Sequence, residues 1–229
     1  MSIKMLPPAP VPENPNQSPA VAAVVLAAGM SRRMGQPKML LPFGGKPLLA
    51  RVLEGLFTGG VADCLVVTGH DLEAVERIVD GFTGARAVHN TLHATGGMLS
   101  SVQAGAAALS PGTDAFLVAP GDQPMLRSET VRALIRAWDE SRAPVVLPVY
   151  DGRRGHPVLF SAPCARTILE LPEGATLRDA IRHHKDSIFE VTVPDPATLH
   201  DIDTPEDYAR ALRAWESQTP DTTREVIHA

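Results

Sequence analysis

The chain has 229 residues, of which 44% are hydrophobic and 21% are charged, so one large domain with a real core is expected. Its net charge of −5 argues against a protein that coats nucleic acid, and 4% aromatic residues are too few to stack single-stranded bases. No apolar run approaches the ~18 residues that span a bilayer. The two cysteines, Cys64 and Cys164, lie far apart, which favours a reducing cytoplasm over a disulfide framework or a zinc site.

Both ends of the chain are predicted to lie outside the folded domain. Residues 1–20 contain six prolines and lack the apolar stretch of a signal peptide, so they are predicted to form a disordered lead-in. Residues 216–229 are polar and show no helical periodicity, which predicts a polar tail. The predicted domain therefore covers residues 21–215.

Short apolar runs alternate with longer periodic segments along this domain. The runs that predict buried strands are residues 21–28, 64–68, 85–89, 115–119, 145–149, 158–160 and 188–193. The segments that predict helices are residues 47–57, 72–79, 98–109 and 128–140, with a last helix from Pro205. Ser128 and Thr204 are predicted N-caps, and residues 151–154 a hairpin turn. Near-continuous apolar strands separated by helices predict a three-layer α/β fold with a mostly parallel sheet.

The loop after the first strand has the composition of an anion-binding segment, LAAGMSRRMGQPK over residues 26–38. Gly29 and Gly35 let backbone N–H groups approach an anion, and Arg33 and Lys38 can add positive charge. Ligands of open α/β sheets bind at the carboxyl ends of strands, so a phosphate-bearing ligand is expected, the alternative being a solvated turn. The glycine spacing excludes both a Walker loop and a GxGxxG dinucleotide fingerprint.

Acidic residues follow two later segments of the chain. Asp122 comes just after the predicted strand 115–119, where its carboxylate would enter the same crevice as the glycine-rich loop. Asp201 and Asp203 lie two residues apart, so both would face one side of an extended chain. Mg²⁺ is usually held by one or two carboxylates together with substrate phosphates, and Asp122 is the first candidate ligand. The structural alternatives are that Asp122 caps its turn and that Asp203 is an N-cap.

The segment LAAGMSRRMGQPKMLLPFGGKPLL, residues 26–49, resembles the signature LAAGxSxRMGxxKxLLPxxGxxLL of the MobA-like nucleotidyltransferases. Within that family the chain looks most like the molybdenum cofactor cytidylyltransferases, since GDQP at residues 121–124 and GHPVLF at residues 155–160 are similar to their segments. DTPEDY at residues 203–208 is similar to a pattern seen across related nucleotidyltransferases. The resemblance covers about residues 21–215 and implies a Rossmann-like nucleotidyltransferase fold.

The resemblance also implies a role for each matching residue. The residues expected to bind the nucleotide are Leu26, Ala27, Ala28, Gly29, Ser31, Arg33, Lys38 and Ser101. Of these, Arg33 and Lys38 would also be catalytic, together with Asp122. Asp122 and Asp203 would hold Mg²⁺, or alternatively Mn²⁺, and Asp203 is favoured over Asp201 because it matches the acid of the family pattern. His156 would border the pocket of the acceptor substrate.

The reaction implied by the resemblance is the transfer of CMP from CTP to the terminal phosphate of molybdopterin, with release of pyrophosphate. Cytidine is favoured because residues 26–29 read LAAG, where relatives that transfer GMP have LAGG. A molybdenum hydroxylase apoenzyme is the expected protein partner. Three alternatives remain: a same-fold transferase with another nucleotide or acceptor, an NAD(P)H-dependent oxidoreductase, and a non-catalytic chaperone for the cofactor. The absence of GxGxxG counts against the oxidoreductase.

Overall fold

The computed structural model describes residues 19–218. The predicted lead-in, apart from its last two residues, and most of the predicted tail lie outside these residues. The last helix ends at Gln218, which is beyond the boundary at residue 215 that the sequence predicts. No helix within the described part of the chain is long and apolar enough to cross a membrane.

Strands and helices alternate along the described chain. The strands are β1 (Val21–Leu26), β2 (Pro42–Phe43), β3 (Lys46–Pro47), β4 (Asp63–Thr68), β5 (Ala85–His89), β6 (Ala115–Pro120), β7 (Val145–Tyr150), β8 (Arg153–Arg154), β9 (Val158–Ser161) and β10 (Ile188–Thr192). The helices are α1 (Leu48–Thr58), α2 (Leu72–Val79), α3 (Gly97–Ala107), α4 (Ser128–Ser141), α5 (Cys164–Leu169), α6 (Leu177–His183) and α7 (Pro205–Gln218).

Within residues 19–218 one eight-stranded sheet has the order β10-β7-β9-β6-β1-β4-β5, with β8 paired to β7. β1 pairs in parallel with both β4 and β6, and only β8 and β9 of this sheet run antiparallel to their neighbours. β2 and β3 form a separate hairpin. The α/β fold with a mostly parallel sheet is therefore confirmed.

Helices cover both faces of the sheet and bury two core layers. Side chains alternate across β1, so Ala23 and Val25 pack with the layer of α1 and α4, whereas Ala22 and Val24 pack with the layer of α3 and α5. Gly105 of α3 lies directly on Val24, and a Cβ atom there would overlap the valine side chain. This contact explains the run of small residues in α3, because the helix axis can then lie close to the sheet.

The start of α4 differs from the prediction. Arg127 occupies the N-cap position and Ser128 is the first helical residue, so the predicted cap at Ser128 is wrong. The carboxylate of Asp195 accepts hydrogen bonds from the Arg127 amide (3.0 Å) and the Thr130 hydroxyl (2.7 Å). A residue distant in sequence therefore holds the helix start, and local sequence carries no sign of that contact.

The two cysteines lie in different core layers, Cys64 in that of α1 and Cys164 in that of α3. Both thiols are free and buried, and burial raises the pKa of each. Because the thiolate is the reactive form, we expect neither cysteine to react with iodoacetamide in the native protein at pH 8, and both to react in denaturant. Mass spectrometry of the alkylated protein measures this, and rapid native labelling of either thiol would contradict the packing.

Candidate active site

The carboxyl ends of β1 and β6 border a cleft of about 350 Å³. β1 lies between β4 and β6, and this arrangement opens a crevice of the kind in which open α/β sheets bind ligands. All but two of the residues that the sequence predicts for the site line the cleft. The predicted residues that line the cleft are Leu26, Ala28, Gly29, Arg33, Lys38, Ser101, Asp122, His156 and Asp203.

The other two predicted residues, Ala27 and Ser31, do not line the cleft but contact residues beside it. Ala27 is buried in the core layer of α1, and its amide donates to the carbonyl of Val67 at 2.9 Å. The hydroxyl of Ser31 accepts a hydrogen bond from the Lys38 amide at 3.2 Å, which closes the loop on itself. Gly35 has a φ of +69°, in the left-handed region that glycine adopts without strain. The loop therefore delivers Lys38 to the cleft in a defined position.

Lys38 lies at the centre of the charged groups in the cleft. Its Nζ atom donates to Asp122 Oδ2, to Asp203 Oδ1 at 3.1 Å and to the carbonyl oxygen of Ile202 at 3.2 Å. Arg33 reaches the other oxygen of Asp203 from the rim, with 2.9 Å between Nη2 and Oδ2. Two cations and two carboxylates from three distant parts of the chain thus form one ionic cluster.

Local backbone contacts place the two acids. Asp122 follows β6, and its carbonyl oxygen accepts from the Ile202 amide at 3.1 Å, which ties the two acidic segments together. Thr204 is the N-cap of α7, as the sequence predicts, since its hydroxyl accepts from the Asp207 amide at 3.1 Å. The Asp207 carboxylate accepts in return from the Thr204 amide at 3.0 Å, which completes a capping box. The carboxylate of Asp203 is therefore not needed as a cap and faces the cleft.

The buried ion pair shifts the pKa of both partners. Burial disfavours the charged form of Lys38, but the attraction and hydrogen bonds of Asp122 and Asp203 outweigh it, so the pKa of Lys38 is raised. Burial raises the pKa of Asp122, the nearby Asp201 and Asp203 charges act in the same direction, and Lys38 opposes them. Lys38 consequently carries a positive charge at neutral pH and stabilises the carboxylate form of Asp122.

The oxygen atoms of the cluster fit a hard divalent cation. Asp122 Oδ1 is buried and has no hydrogen-bond partner among the residues described, which leaves one carboxylate oxygen free. Mg²⁺ prefers oxygen ligands and commonly takes only one or two from protein carboxylates, with phosphates and water supplying the rest. Residues 19–218 contain no group of three or more His, Cys, Asp or Glu side chains placed to hold a metal ion. Asp122 and Asp203 would supply two carboxylate ligands to such an ion, and phosphate or water oxygens would complete its coordination.

His156 lines the same cleft as the ionic cluster. Burial lowers the pKa of this histidine, the Asp201 charge partly opposes the shift, and the Arg178 charge adds to it. Its backbone amide donates to the carbonyl of Thr198 at 2.9 Å, which fixes the position of the segment. Nδ1 is buried without a partner among the described residues, so a neutral imidazole offers an unused nitrogen beside the cleft.

The structure adds residues to the cleft that the sequence reasoning did not select. Asp201 lines it as well as Asp203, and its carboxylate accepts from the side-chain amide of the buried Gln123 at 2.8 Å. His93 and Met98 also line the cleft. The pair Asp201 and Asp203 was visible in the sequence, but no local pattern marked His93, because it reaches the cleft only through the packing of the segment before α3.

The fold and the cleft define a class of protein, the nucleotide-binding α/β enzymes that bind a phosphate-bearing ligand at the carboxyl edge of an open sheet. Within this class the chain belongs to the MobA-like NTP transferase family, because the model of the MobA-like NTP transferase domain matches residues 23–188. It is a nucleotidyltransferase.

The chain matches three curated relatives over nearly their whole length, and these three differ in activity. The chain is 28% identical to the molybdenum cofactor cytidylyltransferase of Escherichia coli K12, over 86% of this chain and 97% of that protein. It is 33% identical to the molybdenum cofactor guanylyltransferase of Rhodopseudomonas palustris BisB5, over 85% and 94%. It is 32% identical to the nicotine blue oxidoreductase of Paenarthrobacter nicotinovorans, over 85% and 97%. These relatives share one family and act on different substrates.

Solved structures agree with the family on the fold. A nucleotidyl transferase from Methanothermobacter thermautotrophicus, Mth528, superimposes with a TM-score of 0.74 at 26% identity, covering 87% of this chain and 98% of that one. Because the superposition covers most of this chain and nearly all of that one, the two proteins share their architecture.

Proposed function

We propose that the protein transfers CMP from CTP to the terminal phosphate of molybdopterin and releases pyrophosphate. The observation that carries this proposal is the ionic cluster of the cleft, where Arg33 and Lys38 meet Asp122 and Asp203. Two cations beside a glycine-containing loop suit a triphosphate, and two acids suit the divalent cation that accompanies it. The similarity to the cytidylyltransferase of E. coli supports the choice of acceptor.

The proposed chemistry needs positioning and charge neutralisation more than it needs a base. The terminal phosphate of molybdopterin has a second pKa near ~6, so it is largely dianionic at neutral pH and is already a nucleophile. One of its oxygens would form a bond to the α-phosphorus, and the bond from that phosphorus to the bridging oxygen would break with departure of pyrophosphate. Arg33 and Lys38 would offset the negative charge that grows on the departing group.

Asp122 and Asp203 are the residues that would hold Mg²⁺ or Mn²⁺. When bound, such an ion supplies positive charge that neutralises phosphate oxygens and orients them for in-line displacement. The free Oδ1 atom of Asp122 supports this assignment, because an unpartnered buried carboxylate oxygen is costly unless a ligand meets it.

His156 is proposed to contact the acceptor. Its lowered pKa keeps the imidazole neutral at pH 7, and a neutral ring can donate from one nitrogen and accept at the other. A neutral ring would recognise a polar heterocycle such as a pterin by hydrogen bonds, without adding charge to the cleft. Asp201 lies close enough to influence the same imidazole electrostatically.

The choice of base is proposed to depend on Ala28, which lines the cleft and is only 6% exposed. In Ala28→Gly the lost methyl group leaves room for a larger base, and the ratio of kcat/KM for GTP over CTP should rise about tenfold, within the range that one methyl group commands in a binding pocket. Ala27→Gly is the matched control, because that side chain packs in the core and the ratio should not change. An unchanged ratio in Ala28→Gly would remove Ala28 from base selection.

The central experiment measures pyrophosphate release from CTP, GTP, ATP and UTP in turn, with molybdopterin as acceptor and Mg²⁺ or Mn²⁺ present. CTP should give the highest rate, and release should require molybdopterin. A different preferred triphosphate would assign another transfer, and oxidation of NADH or NADPH without pyrophosphate release would favour the oxidoreductase activity of one relative. The expected recipient of the product is a molybdenum hydroxylase apoenzyme, and a pull-down with that apoenzyme tests the partner.

A further inference from the structure

The ammonium group of Lys38 already has the oxygen partners of a bound cation. Its three N–H bonds meet Asp122 Oδ2, Asp203 Oδ1 and the carbonyl oxygen of Ile202. Lysine has three donors and no acceptor, so three oxygen atoms saturate it. The residue is only 9% exposed, which means that the group is held inside the protein and is not a mobile surface charge.

The two cations and two carboxylates of the cluster pair with one another before any ligand enters, and the Asp201 carboxylate lies near Asp122. Arg33 pairs with Asp203 Oδ2 and Lys38 pairs with both acids, so two positive charges face two negative ones. A divalent cation that used these carboxylates would lie next to two positive side chains and would have to replace hydrogen bonds of Lys38. Both effects weaken the binding of a free metal ion to the protein.

A triphosphate changes this balance because it competes for the same cations. Arg33 and Lys38 both line the cleft, and the Arg33 side chain is 69% exposed, so it can turn toward a ligand. All three donors of Lys38 are in use, so each contact that Lys38 makes with phosphate removes one that it makes with a protein oxygen, whereas Arg33 has N–H groups to spare for phosphate. The carboxylate oxygens of Asp122 and Asp203 then become available, in addition to the unpartnered Asp122 Oδ1.

We propose that Lys38 holds the place of the metal ion in the nucleotide-free protein and leaves the carboxylates only when a triphosphate draws it away. This inference rests on the proposed function, since it assumes that Asp122 and Asp203 are metal ligands. Thermodynamic linkage then requires that metal and triphosphate increase each other's affinity by the same factor. Lys38 therefore couples metal binding to triphosphate binding as well as neutralising phosphate charge.

The test is the affinity of the full chain for Mn²⁺ alone, without nucleotide, from the electron paramagnetic resonance signal of free Mn²⁺ at pH 8. In Lys38→Ala the dissociation constant should fall at least about tenfold, because one positive charge within a few ångströms is removed. Arg33→Ala should tighten Mn²⁺ binding by a smaller factor. Because the Arg33 side chain is exposed, this variant should fold and can replace Lys38→Ala in the test if the lysine variant does not fold. Lys46→Ala, which breaks an exposed pair with Glu54, is the control and should leave the affinity unchanged.

Unchanged or weaker Mn²⁺ binding in folded Lys38→Ala overturns the inference, as does unchanged binding in Arg33→Ala if the lysine variant does not fold. Equal tightening in Lys46→Ala also overturns it, because the effect would then be one of net charge alone. Pyrophosphate release by the unmodified protein tests the proposed function separately. Release together with unchanged Mn²⁺ affinity in Lys38→Ala overturns only the inference, whereas tighter Mn²⁺ binding without release from any triphosphate overturns only the proposed function.

Discussion

Replacement of Asp122 by alanine should lower kcat/KM for pyrophosphate release by at least about 10³-fold, the scale on which preorganised electrostatic contacts act in a desolvated site. The Asp122 carboxylate pairs with Lys38 through one oxygen, and its unpartnered Oδ1 atom is available to a metal ion. The variant loses both contacts. The measurement is the steady-state rate with CTP and molybdopterin over a range of Mg²⁺ concentrations. Near-normal release would remove Asp122 from the metal site.

The same variant should remain folded. Burial makes the Asp122 carboxylate costly to ionise in the unmodified protein. When this carboxylate is removed, Lys38 still donates to Asp203 and to the Ile202 carbonyl. We expect the melting temperature to change by less than about 4 °C, which corresponds to roughly 1 kcal/mol for a chain of this size. Asp139→Ala is the matched control: this acid pairs with Arg142 at the end of α4, and its loss should change neither activity nor fold.

Replacement of Lys38 by alanine should have a different signature, with losses of both activity and stability. Affinity for CTP should fall at least about tenfold and kcat/KM by about 10²-fold, because the loop loses the cation that meets the triphosphate. The buried carboxylate of Asp122 would lose its main partner, and breaking a buried pair from one side costs about 3 kcal/mol in the free energy of unfolding. Calorimetry with CTP and denaturant unfolding measure the two effects.

The double variant Lys38→Ala/Asp122→Ala separates these contributions. If the loss of stability comes from an uncompensated buried charge, the double variant should be more stable than Lys38→Ala alone, although neither should regain activity. Lys46→Ala again serves as the control for loss of a lysine, since its pair with Glu54 is exposed. Unchanged CTP affinity and rate in Lys38→Ala would contradict the role assigned to the loop after β1.

Local sequence predicted the main elements because each buried strand is a continuous apolar run and each long helix has a periodic apolar face. It missed the β2–β3 hairpin, although two consecutive glycines, Gly44 and Gly45, both have positive φ and are typical of a two-residue hairpin turn. It also missed α5 and α6, which span only six and seven residues and show too little periodicity to detect.

The residues of the cleft were also visible in the sequence, but their relation to one another was not. The resemblance selected Lys38, Asp122 and Asp203 and associated the acids with a metal and the lysine with phosphate. The structure brings the lysine onto the acids themselves, which no motif indicates. Asp201 was ranked below Asp203, yet both line the cleft, since Gln123 holds the Asp201 carboxylate on its wall.

By itself, the sequence determined the alternation of strands and helices, the anion-binding composition of the first loop and the position of acids after later strands, because these properties depend on neighbouring residues. Only the tertiary structure decided that Lys38 lies between carboxylates 84 and 165 residues away. The physical reason is the order of strands in the sheet, which places the carboxyl ends of β1 and β6 side by side. The segment before α7 then contacts the residues that follow both strands. Contacts made across that edge leave no periodicity in the chain, so they become visible only when the strands are assembled.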